Sequence, residues 1–458
     1  MEENMTNQEL AQELLEAKRF TALKELLADM NPADIAEFLK ELTNEELLLA
    51  FRILPKDQAA DTFVEMDPDD QETLIRSFSD SELKAVVDDL FVDDAVDILE
   101  EMPANVVKRV LRFTDSHTRK WINEILKYPE DSAGSIMTVE YVRLKKNMTV
   151  DQAIKHIRRT GVDKETIYTC YVTDLNNKLI GMVSAKDLLL AEDDDVIEDL
   201  METNIIYFNT HDDQEDVANA FDKYDFMAIP VVDEETRLLG IVTFDDAIDV
   251  LQDEATEDIE KMAAIIPSEK TYLRTGIFET WKQRIPWLLL LMVSATFTGK
   301  IISSFEGALS SCVVLTAFIP MLMDTAGNSG GQTSVTIIRS LSLGDIEMSD
   351  IFRIIWKEIR VAVICGLTLA VVNFGKMMLL DASAISSDGQ SAFTVALVVN
   401  LTLVVTVIFA KITASILPIG AKKLGFDPAV MASPFITTVV DALALLVYFN
   451  FAKMILGI

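Results

Sequence analysis

Residues 393–418 read FTVALVVNLTLVVTVIFAKITASILP, a nearly unbroken apolar stretch. About 20 consecutive apolar residues in a helix are enough to cross the hydrocarbon core of a bilayer. Five segments of this kind fill the C-terminal part of the chain, at about 286–303, 308–341, 361–380, 393–418 and 429–452. The pattern predicts a multidomain membrane protein with a five-helix α transmembrane domain over residues 282–458.

The basic residues around these segments predict their orientation. Lys282 and Arg284 precede the first span, Arg353 lies between the second and third, and Lys422 and Lys423 lie between the fourth and fifth. Basic residues favour the cytoplasmic side, so these connections should face the cytoplasm. We expect a multi-pass protein of the plasma membrane. Its N-terminus would be cytoplasmic and its C-terminus outside.

The charge of the chain is concentrated before the membrane segments. The 458 residues carry a net charge of −34, and residues 1–280 alone hold 64 acidic and 28 basic residues. So acidic a chain argues against nucleic acid as a partner, because nucleic-acid binding depends on cationic contacts to phosphates. The three cysteines form no CxxC and the three histidines no HExxH, which excludes the common zinc motifs and their catalysis.

Residues 31–115 repeat with a period of twelve. Helix-starting residues recur at this spacing, among them Asn31-Pro32, Thr43-Asn44, Asp67-Pro68 and Ser79-Asp80. Such residues cap helix N-termini, and one short helix cannot bury its apolar stripe alone. We therefore predict an acidic, all-α helical solenoid over residues 1–132. Its acidic face is either simply solvated or a face that binds divalent cations.

A second repeat spans about sixty residues and has α/β character. The run from Leu179 to Ser184 precedes Asp187, and a matching run from Leu238 to Thr243 precedes Asp246. These signatures resemble a pair of CBS domains, which we place at 133–252, with modules at about 136–199 and 200–252. The resemblance implies a regulatory module that can bind adenine nucleotides such as ATP. Asp187 then lies at the position of a ribose-binding carboxylate, although capping of the next helix explains it equally well.

We assign residues 253–281 as the connecting, or plug, helix to the membrane domain. An acidic helix with carboxylates from Asp245 to Glu260 begins at the end of the second module. Its carboxylates recur at i, i+3 and i+4, a spacing that destabilises a helix unless the charges are screened. Carboxylates are natural ligands of Mg²⁺. We therefore favour a cation-dependent switch over a solvated face here.

Charged and polar residues inside the spans are the candidates for an ion path. Asp441 lies in the middle of the fifth span, and the second span carries the polar run from Asp324 to Gln332. One carboxylate with amide and hydroxyl oxygens is too few ligands to strip Mg²⁺ of its water, so we expect Asp441 to bind a largely hydrated ion. The candidate pore residues are Asp441, Asn328, Gln332, Thr437, Thr438 and Asp427.

The order of solenoid, CBS pair, acidic helix and five spans resembles the MgtE family of magnesium transporters or channels over essentially the whole chain. The run from Ala326 to Gln332 is similar to the family's G-G-N-x-G-x-Q motif, with Ala in place of the first Gly, and the stretch from Pro434 to Asp441 is similar to the family's P-x-x-T-x-x-x-D motif. The resemblance implies a homodimer with a pore near its axis. It also implies cytoplasmic Mg²⁺ sensor sites at Asp93, Asp94, Asp97, Asp213, Glu215, Asp225, Asp246, Asp249, Glu254 and Glu257.

Three other functions remain open. A transporter of another divalent ion, such as Co²⁺ or Mn²⁺, would use similar oxygen ligands, although oxygen donors without Cys or membrane His favour Mg²⁺. A nucleotide-sensing receptor without conduction would use the CBS pair alone. An intramembrane aspartyl protease would need two facing aspartates, and Asp324 and Asp441 are the candidates. The context of Asp441 does not match such proteases, so we expect no enzymatic activity.

Overall fold

The computed structural model describes residues 6–100, 102–268, 272, 275–387, 391–431 and 433–457. The chain forms two compact units, Met1–Leu251 and Gln252–Ile458. Each unit is described separately below.

The first unit begins with the predicted helical solenoid. From α3 to α10, successive helices begin twelve residues apart. The helices are α1 (Asn7–Glu16), α2 (Phe20–Ala28), α3 (Pro32–Lys40), α4 (Asn44–Phe51), α5 (Lys56–Val64), α6 (Pro68–Ser77), α7 (Asp80–Val87), α8 (Val92–Glu100), α9 (Ala104–Phe113) and α10 (Ser116–Ile125). The period-twelve prediction is therefore confirmed.

The residues of the repeat explain why the helices begin and stack where they do. Asn31 Oδ1 accepts a hydrogen bond of 3.0 Å from the Ala33 amide, and Ser79 and Glu82 cap each other across the first turn of α7. Inside the stack, the ring centroid of Phe51 lies 6.0 Å from that of Phe63. Buried residues of successive repeats thus form one continuous core, as expected for units that cannot fold singly.

Two small sheets of identical topology follow, which confirms the tandem CBS prediction. The first has the order β1 (Tyr141–Lys145), β2 (Thr166–Thr173), β3 (Leu179–Ser184), and the second has the order β4 (Phe208–Asn209), β5 (Ala228–Val232), β6 (Leu238–Thr243). In each, the first pair of strands is parallel and the second antiparallel. The accompanying helices are α11 (Val150–Thr160), α12 (Ala185–Leu190), α13 (Ile197–Leu200) and α14 (Gln214–Tyr224).

The glycine of each predicted signature is required by a close approach. A Cβ on Gly240 would lie 2.5 Å from the Thr138 carbonyl oxygen, and a Cβ on Gly181 would lie 2.5 Å from Met201 Sδ. Both distances are far below van der Waals contact. At Gly240 the neighbour is backbone, so a side chain there would push the two chain segments apart, whereas at Gly181 the Met201 side chain would have to move.

The acidic helix α15 (Phe244–Met262) carries the predicted carboxylates from Asp245 to Glu260, but the bounds of the connecting helix differ from the prediction. It begins directly after β6, inside the second module, and ends at Met262. The next helix begins at Ile277, so residues 253–281 do not form one connecting helix. A physical reason lies in the sequence after Met262: Pro267 disfavours helical backbone at the residue before it, and Ala264 takes a positive φ of 57°.

The second unit contains the membrane helices. These are α16 (Ile277–Ser304), the short α17 (Glu306–Ser311), α18 (Ile319–Ser342), α19 (Ile351–Lys376), α20 (Ala382–Ser387), α21 (Ala392–Lys423) and α22 (Ser433–Leu456). In the described part of the chain, four helical stretches are long and apolar enough to cross a membrane: Ile277–Ser304, Met348–Ser386, Ala392–Lys423 and Pro434–Leu456.

Of the five predicted spans, the second is the one that does not appear among these four helical stretches. The helix α18 has 24 residues but begins at Ile319, not near residue 308, because a separate 3-10 turn covers Val313–Phe318. Its polar run keeps it out of the group of four apolar helices. The fifth helix likewise begins at Ser433 and not at residue 429, because Pro428–Met431 forms a 3-10 turn.

A buried ion pair joins three of these helices. The Lys411 ammonium on α21 donates to Thr333 Oγ1 on α18 at 2.8 Å and lies 3.4 Å from Glu358 Oε2 on α19. The side chains of Lys411 and Glu358 are only 7 % and 17 % exposed. Burying both charges is tolerable because each is matched by the other and by the Thr333 hydroxyl.

Candidate cation sites

A cavity of about 430 Å³ lies between α18 and α22. It opens at the face of α18 that carries the polar run. Its lining consists of Ile319, Pro320, Met323, Asp324, Gly327, Asn328, Thr437 and Asp441. Three of the six predicted pore residues, Asp441, Asn328 and Thr437, therefore meet around one space.

Glycines of the polar run allow the helices to approach closely at this cavity. A Cβ on Gly327 would lie 3.0 Å from Thr437 Cγ2, and a Cβ on Gly330 would lie 3.1 Å from Ile436 Cγ2. Small residues at such positions let two membrane helices pack backbone against side chain. The glycines thus have a packing role that also brings the polar residues of α18 to Asp441.

Asp441 has an oxygen available for a ligand. Within the described part of the chain, its Oδ1 atom is buried and has no hydrogen-bond partner. Buried carboxylate oxygens normally have such a partner, and an unpaired one inside a membrane unit is a candidate ligand atom. A hydrated cation in the cavity would supply the missing hydrogen-bond donors through its water.

The other predicted pore residues lie outside this cavity. Thr438 Oγ1 donates to the Pro434 carbonyl oxygen at 3.1 Å, within its own helix. Gln332 is exposed one turn beyond Asn328, on the same face of α18. Neither residue lines the space around Asp441.

Asp427 lies in an ion-pair network with α15. Its Oδ2 is 2.7 Å from Lys261 Nζ, which is also 2.6 Å from Glu257 Oε1, and its Oδ1 accepts from the Ala429 amide at 2.7 Å. Burial opposes the charge on Lys261, but its hydrogen bonds to Asp427 and Glu257 outweigh that effect and raise its pKa. Lys261 thus links the predicted sensor residue Glu257 to the predicted pore residue Asp427, a role that the sequence analysis missed.

A cluster of carboxylates forms where α8 faces the CBS pair. Asp93, only 6 % exposed, has a buried Oδ1 without a hydrogen-bond partner among the described residues. Burial and the nearby Asp246 raise the pKa of Asp93 well above its ordinary value. Burial and Asp246 also raise the pKa of Asp94 to about 7, and burial raises that of Asp246 to about 6 although Thr243 donates to it. We call these residues and the four named next the acidic cluster.

Four members of the acidic cluster were not predicted as sensor residues. The charges of Glu140 and Asp245 act on the pKa of Asp94, as does that of Asp61. Burial and Asp94 raise the pKa of Glu165 to about 8. Glu140 and Glu165 come from the first CBS module, directly before β1 and β2, so the cluster joins three parts of the first unit.

The remaining sensor candidates have local surroundings of several kinds. Asp213 caps α14 by accepting from the Glu215 amide at 2.9 Å, and Asp225 ends the same helix in the left-handed conformation. Asp249 lies one turn after Asp246 on α15 and raises its pKa. Asp97 lies on α8, and Glu254 and Glu257 lie on α15.

No closed metal cage is present in the ranges that the structure describes, because no three His, Cys, Asp or Glu side chains are arranged to hold an ion. The acidic cluster is therefore a group of repelling charges at longer distances. Asp187, the candidate ribose ligand, accepts from the Ser184 hydroxyl at 2.6 Å and caps α12.

Comparison with known proteins identifies the chain. Three family models match it: the MgtE intracellular N domain at 30–131, the CBS domain at 133–194 and 197–253, and the divalent cation transporter MgtE at 319–451. The magnesium transporter MgtE of Thermus thermophilus is 35 % identical over 449 residues, which cover 97 % of both chains. The chain belongs to the MgtE family.

Other members agree with this assignment. The magnesium transporter MgtE of Bacillus subtilis is 32 % identical over 99 % of this chain and 98 % of its own. A crystal structure of the cytosolic domain of the Mg²⁺ channel MgtE in complex with ATP matches 52 % of this chain and 98 % of its own, with 36 % identity and a TM-score of 0.51. The soluble part of a magnesium transporter matches 54 % and 98 %, with 32 % identity and the same TM-score.

Membership of the MgtE family places the chain among transporters. Asp324 and Asp441 do line one cavity, as an aspartyl protease would require. The MgtE relatives that match almost the whole chain are nevertheless magnesium transporters. The family model for the divalent cation transporter MgtE, at residues 319–451, also covers the residues that line the cavity.

Proposed function

We propose that this MgtE-family protein imports Mg²⁺ across the plasma membrane, down its electrochemical gradient, and that cytoplasmic Mg²⁺ closes it. The observation that carries the proposal is the unpaired, buried Oδ1 of Asp441 in a cavity between α18 and α22. The names of the relatives support Mg²⁺ as the transported ion. A membrane potential would drive import with about 4.6 kcal/mol per 100 mV for a divalent ion, twice the single-charge value.

In this proposal the ion keeps most of its water while it passes. Mg²⁺ dehydrates reluctantly and is usually held by one or two carboxylates with several waters. Asp441 would accept hydrogen bonds from that water, with Asn328 and Thr437 as neutral neighbours. Asn328 and Gln332 are exposed on one face of α18. We propose that a second copy of the chain covers this face, so that the pore lies at the axis of a homodimer.

Closure would begin at the acidic cluster. Without a cation its carboxylates repel one another across α8, the first CBS module and α15. A shared Mg²⁺ would relieve that repulsion and draw these parts together. Changing an equilibrium from 1:99 to 99:1 takes about 5.5 kcal/mol of differential binding, so several such sites would have to act together. The candidates around α14, Asp213, Glu215 and Asp225, would belong to this set.

The CBS pair would add a nucleotide signal. A cytosolic domain of similar fold was crystallised with ATP, which supports ATP as the ligand of this module. Asp187 already caps α12 through Oδ2. A ribose would therefore have to bind it through the other oxygen or in place of the cap.

Patch-clamp recording of the reconstituted full chain tests both parts of the proposal. Cytoplasmic Mg²⁺ would be stepped from zero to tens of millimolar, with Asp441→Ala and Glu306→Gln as variants. We expect a Mg²⁺ current that falls as cytoplasmic Mg²⁺ rises, is lost in Asp441→Ala and is unchanged in Glu306→Gln. A current that never closes would refute the sensor, and a current of Co²⁺ or Mn²⁺ alone would refute the choice of ion. No current in any condition would favour a carrier or a non-conducting receptor.

A further inference from the structure

Asp324 is an acidic residue of the membrane unit to which the proposed function gives no role. It lies near the beginning of α18 and is exposed in the single chain. Its side chain lines the same cavity as Asp441, which comes from α22. Two carboxylates from different helices therefore face one space.

The rest of the cavity lining contains no compensating charge. The six other residues around it are apolar or neutral, and none of them is Lys or Arg. Asn328 follows Asp324 by four residues and so lies on the same face of α18. Two like charges next to a low-dielectric protein and lipid environment are costly without a cation.

We propose that Asp324 is the second carboxylate of the pore cavity, and that Asp324 and Asp441 together hold one hydrated divalent cation. The proposal rests on the proposed function and names a residue that selects its substrate. The two side chains would bind opposite sides of the ion's water shell. Asn328 and Thr437 would complete the polar surroundings from α18 and α22.

The size of the cavity agrees with a hydrated ion. Six waters occupy about 180 Å³ at roughly 30 Å³ each. The cavity of about 430 Å³ has room for an octahedral hexahydrate without removal of its water. The apolar residues Ile319, Pro320 and Met323 offer no ligand atoms that could replace that water.

The second carboxylate would matter most for the distinction between divalent and monovalent ions. The electrostatic attraction grows with the product of the charges, so doubling the charge of the site adds twice as much attraction energy for Mg²⁺ as for Na⁺. Neutralising Asp324 would therefore weaken divalent binding more than monovalent binding. Asp441 would still give each copy of the chain one carboxylate at the pore, so transport itself would persist at reduced selectivity.

The test uses hexaamminecobalt(III), an inert cation that resembles hexahydrated Mg²⁺ and cannot exchange its ligands. It would be applied from the side opposite the cytosolic unit while Mg²⁺ current through the full chain is recorded. We expect block of the wild-type current and an increase of at least about tenfold in the blocking concentration for Asp324→Asn, the range typical when a group that supports a metal site is removed. Glu306→Gln, at an exposed acidic position on α17, is the matched control, and its current should be blocked at the same concentration as that of the wild type.

The outcomes separate the two proposals. If the wild type conducts Mg²⁺ but Asp324→Asn shows the same block and the same Mg²⁺/Na⁺ selectivity, the role of Asp324 is overturned and the proposed function is not. A wild-type chain that conducts no Mg²⁺ would overturn the proposed function and this proposal with it. Asp324→Ser provides a second neutral variant if Asp324→Asn fails to fold. Asp324→Glu should restore block because it restores the charge.

Discussion

Neutralising Asp94 should stabilise the cytosolic part of the protein when Mg²⁺ is absent. Burial and the charges of Asp246 and Asp245 raise the pKa of Asp94 to about 7, compared with 3.8 for an unperturbed aspartate. A carboxyl group whose pKa is raised in the folded state favours folding when it is protonated. Its contribution is fully present below pH 3.8 and is lost as the pH rises through about 7.

The size of the effect follows from these two pKa values. At about 1.4 kcal/mol per pKa unit, ionised Asp94 costs the folded state about 4 kcal/mol at pH 8. Asp94→Asn keeps the shape of the side chain and removes this cost. We therefore expect the variant to unfold at a higher urea concentration than the wild type at pH 8, and the difference to shrink toward pH 5.

The assay would follow urea unfolding of residues 1–262; the soluble parts of relatives that were solved alone match 54 % and 52 % of this chain. Trp121 is the only tryptophan in this segment, and it lies on α10, which packs on α8. Asp29→Asn, at an exposed position at the end of α2, is the control for the loss of one charge. Added Mg²⁺ should stabilise the wild type by about 2.7 kcal/mol at a concentration 100 times its dissociation constant, and should stabilise Asp94→Asn less.

A variant that is no more stable than the wild type at pH 8 without Mg²⁺ would refute the reasoning. It would mean that burial of Asp94 and the charges of its neighbours together do not oppose its ionisation enough to affect folding. Equal stabilisation of both proteins by Mg²⁺ would separately argue that Asp94 takes no part in binding the ion.

Three further predictions concern the second unit. Lys411→Met should destabilise the membrane unit by about 3–5 kcal/mol, because it leaves the Glu358 carboxylate buried without a cation; the double variant with Glu358→Gln should recover much of this loss in a detergent melting curve. Lys261→Met removes two ion pairs at the end of α15, so amide hydrogen exchange there should become about fivefold faster, equivalent to about 1 kcal/mol. Gly330→Val should lower the melting temperature, because overpacking destabilises a protein by about 1–3 kcal/mol. Gly375→Val should have a smaller effect, because a Cβ at Gly375 meets no atom within 4 Å.

Local signals in the sequence predicted much of the fold. The helix caps at Asn31, Ser79 and Asp115 act within two or three residues, so their spacing alone places the solenoid helices. The helix α8 has no such residue before Val92, yet it keeps the period because the neighbouring repeats dictate its place. The starts of α18 and α22 were predicted less accurately, because hydropathy does not mark where the 3-10 turns before these two helices stop.

The acidic cluster was predicted only in part, for a physical reason. Asp94 and Glu165 lie far apart in the chain, and no local pattern relates them. A usable signal was present in the strand pairing: β1 and β2 are parallel, with Tyr141 beside Thr166, so the residues directly before the two strands are neighbours. Glu140 and Glu165 occupy these positions, and the Glu165 amide donates to the Glu140 carbonyl oxygen at 2.9 Å.

The candidate pore was predicted by residue type but not by arrangement. Asp441 and the polar run of α18 stand out in apolar surroundings, which made them candidates. Hydropathy could not tell that Thr438 bonds to its own helix or that Gln332 lies beyond the cavity. Lys261 gave no signal either, because its partner Asp427 follows more than 160 residues later in the sequence.

The low hydropathy of α18 has a consequence for how the protein is made. A helix that carries Asp324, Asn328 and Gln332 gains little from entering lipid alone during synthesis. Its packing partners α21 and α22 leave the ribosome later, since they follow it in the chain. We therefore expect α18 to insert fully only when these two helices arrive, so that truncation before α21 would leave it accessible to water-soluble labelling reagents.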